Sequence, residues 1–237
     1  MEHEGFSWIA HVPGLENVPG HVAHSALVAI LMLVTMGLAR LSLGRELKRE
    51  GGGLVPPKTL TYRNFFEILA EKLYGLCENV MGEHDAKEYY PFIGTLFCFI
   101  FFSNLIGTIP GFEAPTANLN TTLALGVFVF IYYNFHGIRA QGIVGHVKHL
   151  FGPTLSWSLF WLAPLMFVCE VVSHLVRPVS LGLRLRGNMM GDHMVHGVFS
   201  VLVPIGVPVI FLALGVFVAL IQAFVFSLLT MVYISLA

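Results

Sequence analysis

From Ser156 to its last residue the chain is almost continuously apolar, in two stretches at roughly 156–195 and 197–237. Each is far longer than the roughly 17 to 25 residues with which a helix crosses a bilayer upright. Inside lipid a helix satisfies every backbone N–H and C=O within its own segment. The stretches are therefore helical, and each either breaks in two or lies steeply tilted against a protein neighbour, because hydrophobic mismatch alone does not hold such an angle. Of the whole chain 56% is hydrophobic and 11% charged, against about 25% charged in an ordinary soluble domain. The expected fold class is an all-α integral membrane protein.

The rest of the chain divides by the same logic. Ser25 to Leu43 is long enough to span, and Arg40, Arg45, Lys48 and Arg49 gather at its far end. By the positive-inside rule that end is cytoplasmic and the N-terminus outside. Residues 1–21 hold three glutamates and no Lys or Arg, unlike the basic start of a cleaved secretion signal, so the first span is expected to be retained. A Gly-Gly-Gly-Leu-Val-Pro-Pro link at 51–57 breaks regular structure. Over 61–82, Phe65, Leu69, Leu73, Leu76 and Val80 recur at helical spacing between Arg63, Glu67, Glu71, Lys72 and Glu78. That pattern predicts an amphipathic helix on the cytoplasmic interface. Further spans are expected at 90–109 and 119–136, joined by the outer loop GFEAPTANLN and followed by Arg139 and Lys148. The expected architecture is about five membrane helices plus the interfacial helix in one membrane domain, the last two forming a long hairpin.

After Glu113 only two acids remain, Glu170 and Asp192, and both lie on the first of the long helices. Steps of three and four residues connect Glu170, Ser173, Arg177, Ser180, Arg184, Asn188 and Asp192 into one polar stripe. Pro178 interrupts it as an expected kink. Ser and Asn in such a stripe commonly serve as hydrogen-bonding glue between helices. Arg184 is different, because a guanidinium cannot shed its charge and costs about 2.5 to 3.5 kcal/mol at mid-bilayer. Acids spaced on either side of a fixed positive charge suggest two proton relays separated by a barrier. Arg186 points nearly opposite Arg184 and reads as an anchoring, snorkelling side chain. Gly187 and Gly191 form a G-x-x-x-G suited to close packing by a partner helix.

Several function classes are disfavoured. Cys77, Cys98 and Cys169 lack C-x-x-C spacing, so neither a disulfide framework nor a thiolate metal site is expected. His193 and His196, like His146 and His149, stand three apart, but no H-E-x-x-H or carboxylate cluster completes a metal set. His193, beside Asp192, reads instead as a proton carrier. The net charge of −1 offers no basic face for nucleic acid. There is no Gly-Lys dipeptide and hence no P-loop, so nucleotide would be bound by another subunit. No cofactor is expected.

PVSLGLRLRGNMMGDHM (178–194) with LIQAFVFSLLTMVYISLA (220–237) resembles the a subunit of rotary F-type ATP synthases, whose signature is S-L-x-L-R-L-x-G-N followed by Q-A-F-x-F. PTANLN with Thr121 and Thr122 resembles that family's outer-loop motif. The resemblance extends over essentially the whole chain. It implies a tilted hairpin cupping a ring of c subunits, with b-type peripheral stalk subunits and the rest of the synthase as further partners, in an energy-coupling membrane such as the bacterial inner membrane. It implies that Arg184 is the stator charge facing the ring carboxylates. Glu170, Ser173 and Ser180 fall where the family lines the cytoplasmic half-channel; Asn188, His193 and Gln222 fall where it lines the outer one.

The chain departs from the family in places. Many bacterial relatives carry glutamate at the position of His193, histidine at that of Gly215 and a small residue at that of Asp192, so the acid has moved to Asp192, which joins the outer path. Asn118 stands where some relatives have an acid. Two rivals stay open at the level of sequence. A secondary ion transporter would also use intramembrane charge, although the internal repeat common to such proteins is not visible. A plain membrane anchor would not need Arg184.

Overall fold

A computed structural model describes residues 18–47, 62–109, 112–150, 163–202 and 207–236. The order is α1 (Gly20–Leu47), α2 (Tyr62–Met81), α3 (Glu83–Ile106), a 3-10 turn at Pro115–Ala117, α4 (Leu119–Leu150), α5 (Ala163–Leu202) and α6 (Val207–Ser235). Among the described residues five segments are long and apolar enough to cross a membrane: Gly20–Leu41, Glu83–Ile106, Leu119–Arg139, Leu165–Phe199 and Val209–Ser235. The described residues contain no strand. The protein is all-α and integral to a membrane.

Contacts group the chain into two compact units, one running to Pro115 with Ala219–Ser227, the other holding Thr116–Val218 and Leu228–Ala237. In the first, α2 packs on α3 and both touch α1. Leu73, Cys77 and Met81 of α2 are buried while Glu71, Lys72 and Glu78 are exposed, and Leu69, Leu76 and Val80 of the expected apolar face are half-buried. Phe65 and Arg63 lie outside the described side chains. Gly82 between α2 and α3 has φ +86°, a left-handed conformation open to glycine at no steric cost. It lets the chain leave α2 and restart at once, with Glu83 and Asp85 in the first turn of α3 facing the positive end of its dipole. Tyr90 fastens the corner by donating to the Ala70 carbonyl at 3.2 Å and meeting Tyr74 edge to face.

In the second unit α4 and α5 pack side by side. They approach closely: a Cβ added to Gly126 would lie 2.4 Å from the Pro178 carbonyl oxygen, and one on Gly182 would lie 3.0 Å from that of Thr122. The close-packing glycines are therefore these two. Among the described residues nothing stands within 4 Å of a Cβ at Gly187 or Gly191, so none of them packs on the G-x-x-x-G. Asn118 caps α4, its Oδ1 accepting from the Asn120 N–H at 2.9 Å, as an N-cap side chain does.

The long stretches resolve differently from the expected boundaries. α5 has 40 residues and is helical through Pro178, so it neither breaks in two nor ends at 195. Residues 197–202 complete α5 instead of starting the last helix. At 1.5 Å per residue α5 is about 60 Å long, twice the hydrocarbon thickness. Gly197 does not end it, because an apolar surrounding leaves the backbone no hydrogen-bonding alternative to the helix. Residues 156–162, expected at the start of this helix, lie outside the described residues.

Candidate functional site

The polar stripe of α5 lies beside the face on which Pro178, Leu181, Gly182, Leu185 and Met189 are buried. Packing on α4 thus leaves the stripe on a flank. Its first half is a connected cluster. Glu170 Oε1 lies 3.4 Å from His174 Nε2 and 3.7 Å from Arg177 Nη2. His174 Nδ1 meets the Tyr133 hydroxyl of α4 at 3.1 Å. Arg177 lies over the ring of Tyr233 on α6, 5.3 Å from its centroid, and Tyr233 and Tyr133 have ring centroids 6.2 Å apart. The Ser180 hydroxyl donates back to the Arg177 carbonyl at 3.0 Å. Ser173 is exposed.

Tyr133, His174 and Tyr233 belong to this cluster although none of them lies in the stripe of Glu170, Ser173, Arg177, Ser180, Arg184, Asn188 and Asp192. His174 had a legible signal, since it stands four residues after Glu170 and three before Arg177, where side chains meet on a helix. Tyr133 and Tyr233 had none, because only the pairing of α4, α5 and the end of α6 brings them there. Proline contributes locally: without an N–H, Pro178 removes the donor that would serve the His174 carbonyl one turn back.

The second half of the stripe is open. Arg184 is exposed in the midst of the apolar span Leu165–Phe199, and no described residue gives it a hydrogen bond or an ion pair. Asp192 and His193 are half-buried, again without such a partner among the described residues. Asn188 is exposed. Arg186, two residues on and so on nearly the opposite side of the helix, is half-buried, and its Nε is enclosed with no hydrogen-bond partner among the described residues. It does not snorkel freely.

Gln222 is buried, only 2% exposed, and belongs to the first unit. The same unit buries Ser103, Asn104 and Ser227 completely. Neither Ser103 nor Ser227 finds a partner for its hydroxyl among the described residues. A buried polar group commonly requires a protein or water partner, so these hydroxyls mark polar points inside otherwise apolar spans. Among the described residues of the second unit, Thr116, Thr122 and Thr230 are the fully buried polar ones.

The family model described as ATP synthase A chain matches residues 22–235. The protein named "ATP synthase subunit a" of Bdellovibrio bacteriovorus is 46% identical over 232 residues, 98% of this chain and 97% of its own length. That of Helicobacter hepaticus is 42% identical over 211 residues, 89% of this chain and 86% of its own. "ATP synthase subunit a 3" of Pelobacter propionicus is 45% identical over 214 residues, 90% and 85% of the two chains.

Proposed function

We propose a function from one premise: the chain belongs to the ATP synthase A chain family and is an Fo subunit of an F-type ATP synthase. On that premise it is the proton-translocating stator subunit, which binds no nucleotide itself and presents two half-channels and one essential arginine to the rotating c-ring. The b-type stalk holds it still, and the membrane is the bacterial inner membrane, with the N-terminus outside and the C-terminus cytoplasmic.

The observation that carries this reading is Arg184: exposed, in mid-span, and without a charge partner among the described residues of its own chain. A guanidinium held in an apolar span needs an anion or water. A carboxylate carried past by a neighbouring ring supplies the anion in turn. The guanidinium favours the ionised carboxylate, and the released proton leaves through one half-channel. The next carboxylate takes a proton from the other before entering lipid, where an isolated charge is prohibitively costly. Each proton moving down 100 mV contributes about 2.3 kcal/mol to rotation. Arg184 also keeps protons from running directly between the two paths.

Glu170, Ser173 and Ser180 line the cytoplasmic path; Asn188, Asp192, His193 and Gln222 line the outer one. The cluster around Glu170 supports the first assignment, and the buried Gln222 and Ser227 support a polar route along α6. The test is the whole synthase reconstituted in liposomes. ATP should acidify the interior with the native chain and fail to do so with Arg184→Ala, although ATP is still hydrolysed. Acidification at the native rate by the Arg184→Ala complex would overturn the reading.

A further inference from the structure

The cluster on the Glu170 side contains a second titratable group, His174, which the function above does not use. Its geometry is specific. The imidazole stands between two partners, with Nε2 3.4 Å from Glu170 Oε1 and Nδ1 3.1 Å from the Tyr133 hydroxyl. An ionised carboxylate only accepts, so Nε2 must carry the proton that faces Glu170. In the neutral ring Nδ1 is then the acceptor, and the Tyr133 O–H donates to it. Tyr133 is 1% exposed and its ring lies nearly parallel to that of His174, with centroids 6.1 Å apart. The tyrosine therefore fixes both the tautomer and the ring plane. Among the described residues the groups facing this pair include Glu170 and Arg177 on α5, Tyr133 on α4 and, against Tyr133 and Arg177, Tyr233 on α6.

We propose that His174 is the proton-exchange partner of Glu170 in the half-channel on that side of the membrane, with Tyr133 as its positioning residue. Inward transfer begins when water delivers a proton to Nδ1, giving an imidazolium whose Nδ1–H faces the Tyr133 oxygen. The Nε2–H bond then breaks as a carboxyl O–H forms on Glu170, which leaves a neutral ring protonated at Nδ1; one water takes that Nδ1 proton as another protonates Nε2, and the tautomer in which Nδ1 accepts from Tyr133 is restored. Outward transfer is the reverse, with water taking the proton. The path thus includes a group whose charge changes between about pH 5 and 8, so ATP-driven pumping depends on the pH at this mouth. The inference rests on the half-channel reading above.

The experiment uses the whole synthase in liposomes with the nucleotide-binding side outward, and follows the initial rate of ATP-driven acidification as external pH is varied at fixed internal pH. Rates are normalised to ATP hydrolysis by the detergent-solubilised, uncoupled enzyme. The native complex should show an inflection in the imidazole range, each further pH unit lowering the protonated fraction by about tenfold. His174→Gln, which keeps a donor and an acceptor but cannot titrate, should lose the inflection. Tyr133→Phe should keep an inflection but displace it, because the ring is no longer held in one tautomer; a purely structural role would leave it in place. A native inflection retained in His174→Gln overturns the proposal, while failure of Arg184→Ala in the same assay leaves the half-channel reading standing. If His174→Gln does not assemble, an undisplaced inflection in Tyr133→Phe overturns it instead. Native pumping by Arg184→Ala overturns both.

Discussion

Arg184 shows how far one side chain constrains a mechanism. Its charge is permanent, it stands in an apolar span, and no described residue pairs with it; on the proposed reading its partner comes from a neighbouring ring. Lysine at this position would keep the formal charge but lose the planar fork and could give up its proton when desolvated. Arg184→Lys is therefore expected to lower proton-driven ATP synthesis at least about a hundredfold, equivalent to roughly 2.7 kcal/mol, measured in inverted membrane vesicles. A near-native rate would remove the arginine from the mechanism. Asp192 is argued differently, because what matters is whether its carboxyl titrates. Asp192→Asn should slow proton flow severalfold while Asp192→Glu preserves part of it; equal rates for the two variants would show that the carboxyl does not exchange protons.

Helix pairs turn such residues into a site. α4 can hold Tyr133 against His174 only because Gly126 and Gly182 let the two backbones approach. A side chain at Gly126 would meet the Pro178 carbonyl oxygen at 2.4 Å, a backbone atom that cannot swing aside. Gly126→Leu is expected to destabilise the α4–α5 pair by about 1 to 3 kcal/mol, as overpacking does, and to lower the melting temperature and yield of the complex. Gly187→Ala, with open space at its Cβ, should leave the stability of the isolated chain unchanged in the same detergent melt. On α2 the relevant face is the one that buries Cys77. Burial pushes the Cys77 thiol above its ordinary value, because the thiolate is the charged form and burial disfavours it. The folded state binds this proton more tightly than the unfolded state does. Its contribution to stability is accordingly complete below the unfolded thiol's titration and is lost as pH rises through the folded one. At pH 8 maleimide should leave Cys77 unlabelled in the intact complex and label it after denaturation; rapid labelling of the folded protein would show that α2 does not dock as described.

On the proposed reading the molecule is half of a proton conductor, with a paired cluster around Glu170 and, among the described residues, no hydrogen-bond or ion-pair partner for Arg184, Asp192 or His193. Liposomes holding the chain alone should therefore pass no proton current under an applied potential. Liposomes holding it with the small apolar ring protein should pass one that Arg184→Ala alters. Conduction by the chain alone would favour an independent transporter.

Much of this was readable from residue order, because the apolar runs, the division of α2 and the stripe through Arg184 are periodicities of single helices. Each helix satisfies its own backbone and exposes a face determined by steps of three and four. The same steps single out Glu170, Arg184 and Asp192 as candidates, whose charge is conspicuous against an apolar background. Tyr133 and Tyr233 carried no such mark: an aromatic in an apolar span looks like any other core residue until a neighbouring helix is placed against it. The choice of Gly126 and Gly182 over Gly187 and Gly191 likewise depended on which faces meet. The run of α5 through Pro178 and Gly197 to Leu202 was hidden for a related reason. Proline and glycine are breakers where water can take over the freed backbone groups, and in an apolar surrounding the helix that continues past them is the lower-energy course.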